Sequence, residues 1–329
     1  MLGVVAQLQP ASTPDTIQFA WVVALLFLTA TLLTRRGHES GRTLAAITWA
    51  IFGVFWLSLV PYFAFEHQSW VEAILALVAL PACTYAGYLL YAGRDTLFLL
   101  TRAVMFMLLI YLPFTAIPAV TVAGVTIPEP RRVFIELVAS QTMWAINLVG
   151  YSPTLIESPE GYHATFEWLL PGGDRRILVH TVLACTGIGS MAIFGGLIAA
   201  VKAPLVRKVR ALGVAIPIIY VLNIARTTFI NIAYGNQLMH WYPDAVLFLF
   251  GAENPFRVSF LISDRIISQL LAVVALVGIT YLVARELPEL VIVLEDVLYV
   301  LTGEEHDLLE SMDLPREPVE RADPTGTRV

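Results

Sequence analysis

Leu183-Ala184-Cys185-Thr186-Gly187-Ile188-Gly189-Ser190 stands where a polar segment, Pro171-Gly172-Gly173-Asp174-Arg175-Arg176, gives way to an apolar run that continues to about Ala200. About 20 residues of helix cross the ~30 Å hydrocarbon core, so a run over 179–201 reads as a membrane helix. Six further runs share its character, over approximately 17–34, 43–63, 70–92, 97–123, 211–234 and 265–284. With 57% of 329 residues hydrophobic and 14% charged, the chain is too apolar for a soluble domain. The expected fold class is an all-α integral membrane protein of about seven transmembrane helices.

Charge orients the bundle. Arg35, Arg36 and Arg42 follow the first run, Arg94 and Arg102 flank the third connection, and Lys202, Arg207, Lys208 and Arg210 fill the fifth. These alternate loops belong on the cytoplasmic side, which puts the N-terminus outside and the C-terminus inside. Residues 131–150 are apolar enough to suggest an eighth span. Crossing there would move the basic 202–210 loop outside and leave Glu136, Gln141 and Asn147 seeking partners in lipid. The segment is therefore expected as an interfacial or re-entrant helix in the long outer loop. Residues 151–178, broken by Pro153, Pro159 and Pro171-Gly172-Gly173, read as outer loop, and 235–264 as another.

The opening residues carry no basic n-region, so the first run is expected to stay in the mature protein. From Arg285 onward twelve Asp or Glu face four Arg, a net of −8 that leaves +2 on the rest of a chain of net charge −6. The division is thus a polytopic membrane domain over 1–284 and an acidic cytoplasmic tail over 285–329. Within the tail, 289–301 is an apolar stretch interrupted by Glu295 and Asp296, fit for a helix on the inner surface.

Cys83 and Cys185 cannot build a disulfide framework, and there is no C-x-x-C, phosphate loop, H-E-x-x-H or G-x-S-x-G. No metal, cofactor or nucleic-acid partner is expected. Cys83, mid-run and without a charged neighbour, reads as structural. A lone membrane cysteine is ordinarily a packing residue. Cys185 differs because the topology puts Arg226 and Arg265 in the same outer leaflet. Cys185 is about 8 Å of helix below its outer end, Arg226 roughly 22 Å up the sixth run, and Arg265 at the start of the seventh.

A membrane arginine is functional by default, since insertion costs about 2.5–3.5 kcal/mol at the bilayer centre. Arg265, however, also suits a helix-end anchor or a partner of Asp264. Asn223, on the face of Arg226, can orient the guanidinium or glue two helices. Thr186, Gly187, Gly189 and Ser190 permit close approach of substrate or of another helix.

A thiol beside two fixed cations suits acyl transfer. Arginine is no base, but it holds a thiolate and stabilises an oxyanion. His163 and His240 are candidate bases, with His67 more remote; His180, about 140° round an ideal helix from Cys185, is not. Two other classes compete. In one, a transporter or anionic-lipid-binding protein uses Arg226 and Arg265 while Cys185 only packs; in the other, an intramembrane protease is built on Ser190.

At these residues the sequence resembles the exosortase/archaeosortase family of membrane cysteine transpeptidases, with a close fit to its archaeal branch. Ala184-Cys185-Thr186-Gly187-x-x-Ser190 resembles the nucleophile motif, Asn223-Ile224-Ala225-Arg226 the Asn-x-x-Arg motif, and Arg265 the third residue, where bacterial members carry His. The resemblance implies a cell-membrane enzyme whose active site is extracellular. Its implied substrates are surface proteins, such as S-layer glycoproteins, with a C-terminal sorting signal: a Pro-Gly-Phe-type motif, a transmembrane helix and a basic cluster. It implies a thioester on Cys185 resolved by a membrane phospholipid. The acidic tail is a conceivable dock for that basic cluster, against the plainer reading of a solvated segment.

Overall fold

The computed structural model describes residues 4–6, 14–66, 69–122, 124–170 and 175–308. Four apolar helices form the first half: α1 (Pro14–Arg35), α2 (Ser40–Pro61), α3 (Trp70–Tyr91) and α4 (Leu97–Ala116). Past Pro61 the chain of α2 continues as a π turn to Glu66. Their shared core is aromatic and tight, with Phe27, Trp49 and Phe52 edge to face and Cys83 buried beside them. Trp49 Nε1 donates to Thr101 Oγ1 at 2.9 Å, which satisfies the one polar atom of that buried ring.

Strands β2 (Val120–Val122) and β3 (Val125–Ile127) make a small exposed hairpin. Helix α5 (Pro130–Leu148) then buries Ile135, Val138, Ala139, Thr142 and Ile146, a stripe at helical spacing. Its polar residues find the partners that a lipid-crossing path would deny them. Glu136 accepts from Arg132 Nε at 3.0 Å and from the His163 amide at 3.1 Å, and Gln141 accepts from the Tyr220 hydroxyl at 2.6 Å.

The all-α expectation fails over 151–180. Strands β4 (Thr154–Glu157), β5 (His163–Leu169) and β6 (Arg176–His180) run antiparallel in that order, and β1 (Val4–Ala6) adds to β6 in parallel. The cause is period-2 burial: Phe166 and Trp168 on β5, with Ile177 and Val179 on β6, face the core while Leu169 and Arg176 are exposed. Proline-rich composition disguised this sheet as a loop. β6 also takes the first residues of the expected run 179–201, so the fifth helix starts late.

That helix, α6 (Ile188–Ala200), has only 13 residues. Gly196 lets it dock on α4, where an added Cβ would lie 2.6 Å from the Ala103 carbonyl oxygen. The long α7 (Leu205–Gly235) returns, and its last residue receives the Trp168 ring so closely that a Cβ would lie 2.2 Å from it. After α8 (Pro243–Phe250), a composite helix over Pro255–Glu286 contains a π segment at Leu261–Ser268. It begins well before the expected 265, because the apolar Val258–Ile262 stretch is buried and continuous with it. A tail helix (Val291–Thr302) follows, and the described residues run on to 308.

Among the described residues, five helices are long and apolar enough to cross a membrane: Asp15–Arg35, Ser40–Glu66, Trp70–Tyr91, Leu97–Ala116 and Pro255–Glu286. The chain is a mostly helical, multi-pass membrane protein. The two expected runs outside that set are α6, which is short, and α7, which carries Arg207, Lys208, Arg210 and Arg226.

Candidate active site

Cys185 is not inside a membrane helix. It stands on a 3-10 turn, Leu183–Thr186, between β6 and α6, and it is half-buried. Two local hydrogen bonds and one glycine shape the turn. The Cys185 amide donates to the Val182 carbonyl at 2.8 Å, and the buried Thr186 hydroxyl donates to the Leu183 carbonyl at 2.6 Å. Gly187 then reverses the backbone at φ 79°, a left-handed conformation that favours glycine.

Asn223 of α7 completes the mounting. Its Nδ2 donates to the Cys185 carbonyl at 2.6 Å, and a Cβ on Gly187 would lie 3.1 Å from Asn223 Cγ. Of the two readings of Asn223, orienting Arg226 or tying segments together, this contact with the cysteine turn is of the second kind. α7 is fixed in turn to α5 by the buried pair Thr142 Oγ1 and Thr227 Oγ1, 2.9 Å apart. Ser190 is exposed in the first turn of α6, and Gly189 has open space around it.

One turn beyond Asn223, Arg226 Nη2 meets Asp264 Oδ1 at 2.6 Å; Asp264 is almost completely buried. The other Asp264 oxygen faces Arg265 Nε at 3.6 Å. Arg265 is itself 6% exposed, so the helix-end anchor reading is excluded: it lies within the π segment, not at a helix start. Its Nη1 is 3.8 Å from Glu72 of α3, and its guanidinium is 5.9 Å from the Phe260 ring. Burial pushes the Cys185 thiol above its ordinary pKa; Arg226, the strongest charge acting on the sulfur, opposes that shift, as do the Val182 contact and Arg265, while Asp264 adds to it. The fold thus brings together five residues singled out in the sequence, Cys185, Asn223, Arg226, Asp264 and Arg265.

Glu72 was missed. Its signal was available, as an acidic residue in the first turn of an otherwise apolar run. Conversely, the candidate bases stand elsewhere. His163 is exposed at the start of β5 with its ring 3.3 Å from Glu157, and exposed His240 makes no hydrogen bond or ion pair among the described residues. His67 lies outside the described residues. His180 accepts or shares a hydrogen bond with Thr165 Oγ1 at 2.7 Å, while its Nε2 is buried without a partner. Burial holds the His180 imidazole below its ordinary pKa. No group of three or more metal-ligating side chains occurs among the described residues.

A profile of the transmembrane exosortase family (Exosortase_EpsH) matches residues 14–257. The chain belongs to the exosortase/archaeosortase family of membrane sorting transpeptidases. It is 54% identical to Archaeosortase A of Haloferax volcanii over 295 residues, 90% of this chain and 97% of that one. It is 42% identical to Archaeosortase A of Natronomonas pharaonis over 294 residues, covering 88% and 90% respectively. No solved structure matches. The family profile spans Cys185, Asn223 and Arg226 and stops short of Arg265.

Proposed function

We propose that this exosortase-family chain is a cysteine transpeptidase that cleaves the C-terminal sorting signal of surface proteins, S-layer glycoprotein among them, and transfers them to a membrane lipid. The observation that carries the reading is Cys185 held on its turn by Asn223, with the charges of Arg226 and Arg265 acting on its sulfur. In the reaction, Cys185 sulfur bonds to the scissile carbonyl carbon and the C–N bond breaks. The thiol proton ends on the leaving amine, and the acyl group on sulfur as a thioester. A lipid hydroxyl or amine then takes the acyl group and returns its proton to sulfur. Arg226 and Arg265 favour the thiolate and stabilise the tetrahedral oxyanion, with no proton transfer of their own.

In this reading seven segments cross or enter the membrane, with the N-terminus outside, the C-terminus inside and α5 interfacial. Residues 1–284 form the catalytic domain and 285–329 the cytoplasmic tail. The short α6 then enters from the sheet layer, so that Cys185 lies at the extracellular interface. There it can reach both a peptide just above a substrate helix and a lipid headgroup. The competing reading, a headgroup-binding protein using Arg226 and Arg265, is disfavoured because Asp264 already engages both guanidinium groups.

The test uses membranes containing the protein and a substrate with a sorting signal, comparing wild type, Cys185→Ala and Cys83→Ala. Processing lost only in Cys185→Ala, with an acyl adduct on Cys185 by mass spectrometry, is expected. Normal processing in Cys185→Ala would sink the proposal.

A further inference from the structure

At the end of α6 opposite Cys185, about 20 Å of helix away, the structure opens a cavity of about 720 Å³. Its walls come from the last turn of α1, the start of α4, the end of α6 and the start of α7, closed on one side by Ile292 of the tail helix. Four cations line it: Arg35, Arg102, Lys202 and Lys208. Phe98 and Leu99 supply apolar surface between them. Asp95 is also on the wall, but its carboxylate is taken by Arg42 at 2.5 Å.

None of the four cations forms an ion pair among the described residues. Lys208 Nζ donates to the Ala199 carbonyl at 3.0 Å, which pins the ammonium at the cavity without neutralising it. Arg102 is the clearest sign of a missing partner. It rises from the apolar helix α4, and its Nε is shielded from solvent with no hydrogen bond. A buried donor left so carries its full desolvation cost, and four like charges converging on one partly enclosed space repel one another. An anion relieves both costs. Of the anions, one with several acceptor oxygens serves several guanidinium and ammonium donors together. The apolar strip beside the cations suits an attached hydrocarbon chain, and the cluster stands among the basic loops that the positive-inside rule assigns to the cytoplasm.

We propose that this cavity binds a phosphate-bearing anion, the headgroup of an anionic phospholipid, with Arg102 and Lys208 as inner ligands and Arg35 and Lys202 at the rim. The site is separate from the Cys185 centre and independent of the reaction proposed there. It gives the protein a grip on the leaflet opposite its active site.

The test takes the full chain in a neutral detergent and measures retained lipid by native mass spectrometry after exposure to phosphatidylglycerol or phosphatidylcholine. Wild type is expected to keep phosphatidylglycerol at least about fivefold better than phosphatidylcholine, and Arg102→Gln to abolish that preference while Arg102→Lys restores part of it. Should Arg102→Gln fail to fold, the exposed rim pair Arg35→Gln/Lys202→Gln reads the same preference. A parallel melt in inorganic phosphate separates the sources. Phosphate that stabilises wild type but not Arg102→Gln, with no lipid preference, supports the anion site and overturns its lipid occupant. Equal retention of the two lipids with no phosphate effect overturns the proposal. So does a preference that appears only after deletion of 309–329, whose five carboxylates would then be the occupant.

Discussion

Asp264 Oδ1 lies 2.6 Å from Arg226 Nη2, joining α7 to the π segment of the composite helix at the level of the cysteine turn. Its second oxygen faces Arg265, so one buried carboxylate holds two cations in place. Two guanidinium groups at one thiol would otherwise repel each other. Asp264 therefore sets their geometry, and the two guanidinium groups act on the sulfur against the burial that raises its pKa. Replacing one member of a buried pair strands the other, at roughly 3 kcal/mol. Asp264→Asn is expected to lower the melting temperature and to cut substrate processing at least about tenfold, with Asp264→Glu intermediate. Unchanged processing in Asp264→Asn would show that the arginines need no such bridge.

Asn223 separates mounting from charge. Its amide donates to the Cys185 carbonyl, so Asn223→Ala removes one hydrogen bond, worth about 1 kcal/mol, and frees the turn. Asn223→Asp does more: it places an acceptor against an acceptor and adds a negative charge beside a sulfur that must become a thiolate. The alkylation rate of Cys185 by iodoacetamide should fall in the order wild type, Asn223→Ala, Asn223→Asp. Equal rates in the two variants would mean that the carbonyl contact is mechanical only.

Glu72 supplies a graded comparison. It approaches Arg265 at 3.8 Å and is 39% exposed, against 2.6 Å and 4% for Asp264 with Arg226. A longer, wetter ion pair contributes about 0–1 kcal/mol. Glu72→Gln should therefore alter processing less than threefold. A loss as large as that of Asp264→Asn would make Glu72 an equal partner in the site.

The five residues that meet here were legible because strong chemistry in apolar runs has few explanations; helical rise could not place Cys185, which stands on a turn before its helix. The mounting was not legible. The sequence around Cys185 is apolar on both sides, and nothing in hydropathy separates a strand ending at His180 from a helix beginning at 179. The decisive feature was alternation of Phe166, Trp168, Ile177 and Val179, a period-2 signal hidden among prolines and glycines. Arg265 was misplaced for a related reason. The apolar start of its helix, Val258–Ile262, reads in the sequence as the end of the 235–264 loop, which makes a buried arginine look like a helix end. Asn223 admits two readings in the sequence, a partner for Arg226 or a tie to another segment, because spacing along one helix says nothing about what the neighbouring turn offers; the contact with the Cys185 carbonyl is of the second kind.

The sheet layer carries its own pH dependence. Burial lowers the folded-state pKa of His180 from 6.5, so below that value the unfolded chain binds a proton that the folded one refuses. Stability is then full above the unfolded pKa and declines as pH falls through it towards the depressed folded value. Melting temperature should drop between about pH 7.5 and 5.5, and His180→Gln, which can still meet Thr165, should flatten part of that drop. An identical profile in the variant would assign the dependence to another group.

At the basic end, a second buried carboxylate fixes the tail. Asp296 is 2% exposed and accepts from Arg94 Nε at 2.8 Å and from Thr96 Oγ1 at 2.8 Å. Arg94 also pairs with Glu305 at 2.8 Å, and its guanidinium lies 3.8 Å from the Tyr299 ring centre. A second clamp joins Arg207 of α7 to Glu289 at 3.0 Å. The interruption of the apolar stretch 289–301 by Asp296 is thus what docks the helix against the α3–α4 connection. Asp296→Ala leaves the half-buried Arg94 without its inner partner, and roughly 3 kcal/mol of docking is lost. Proteolysis within 287–308 should accelerate at least tenfold, while alkylation of Cys185 stays as in wild type because the whole length of α6 lies between. Faster cleavage together with a changed Cys185 rate would mean that the tail and the cysteine turn are mechanically coupled through α6 and α7.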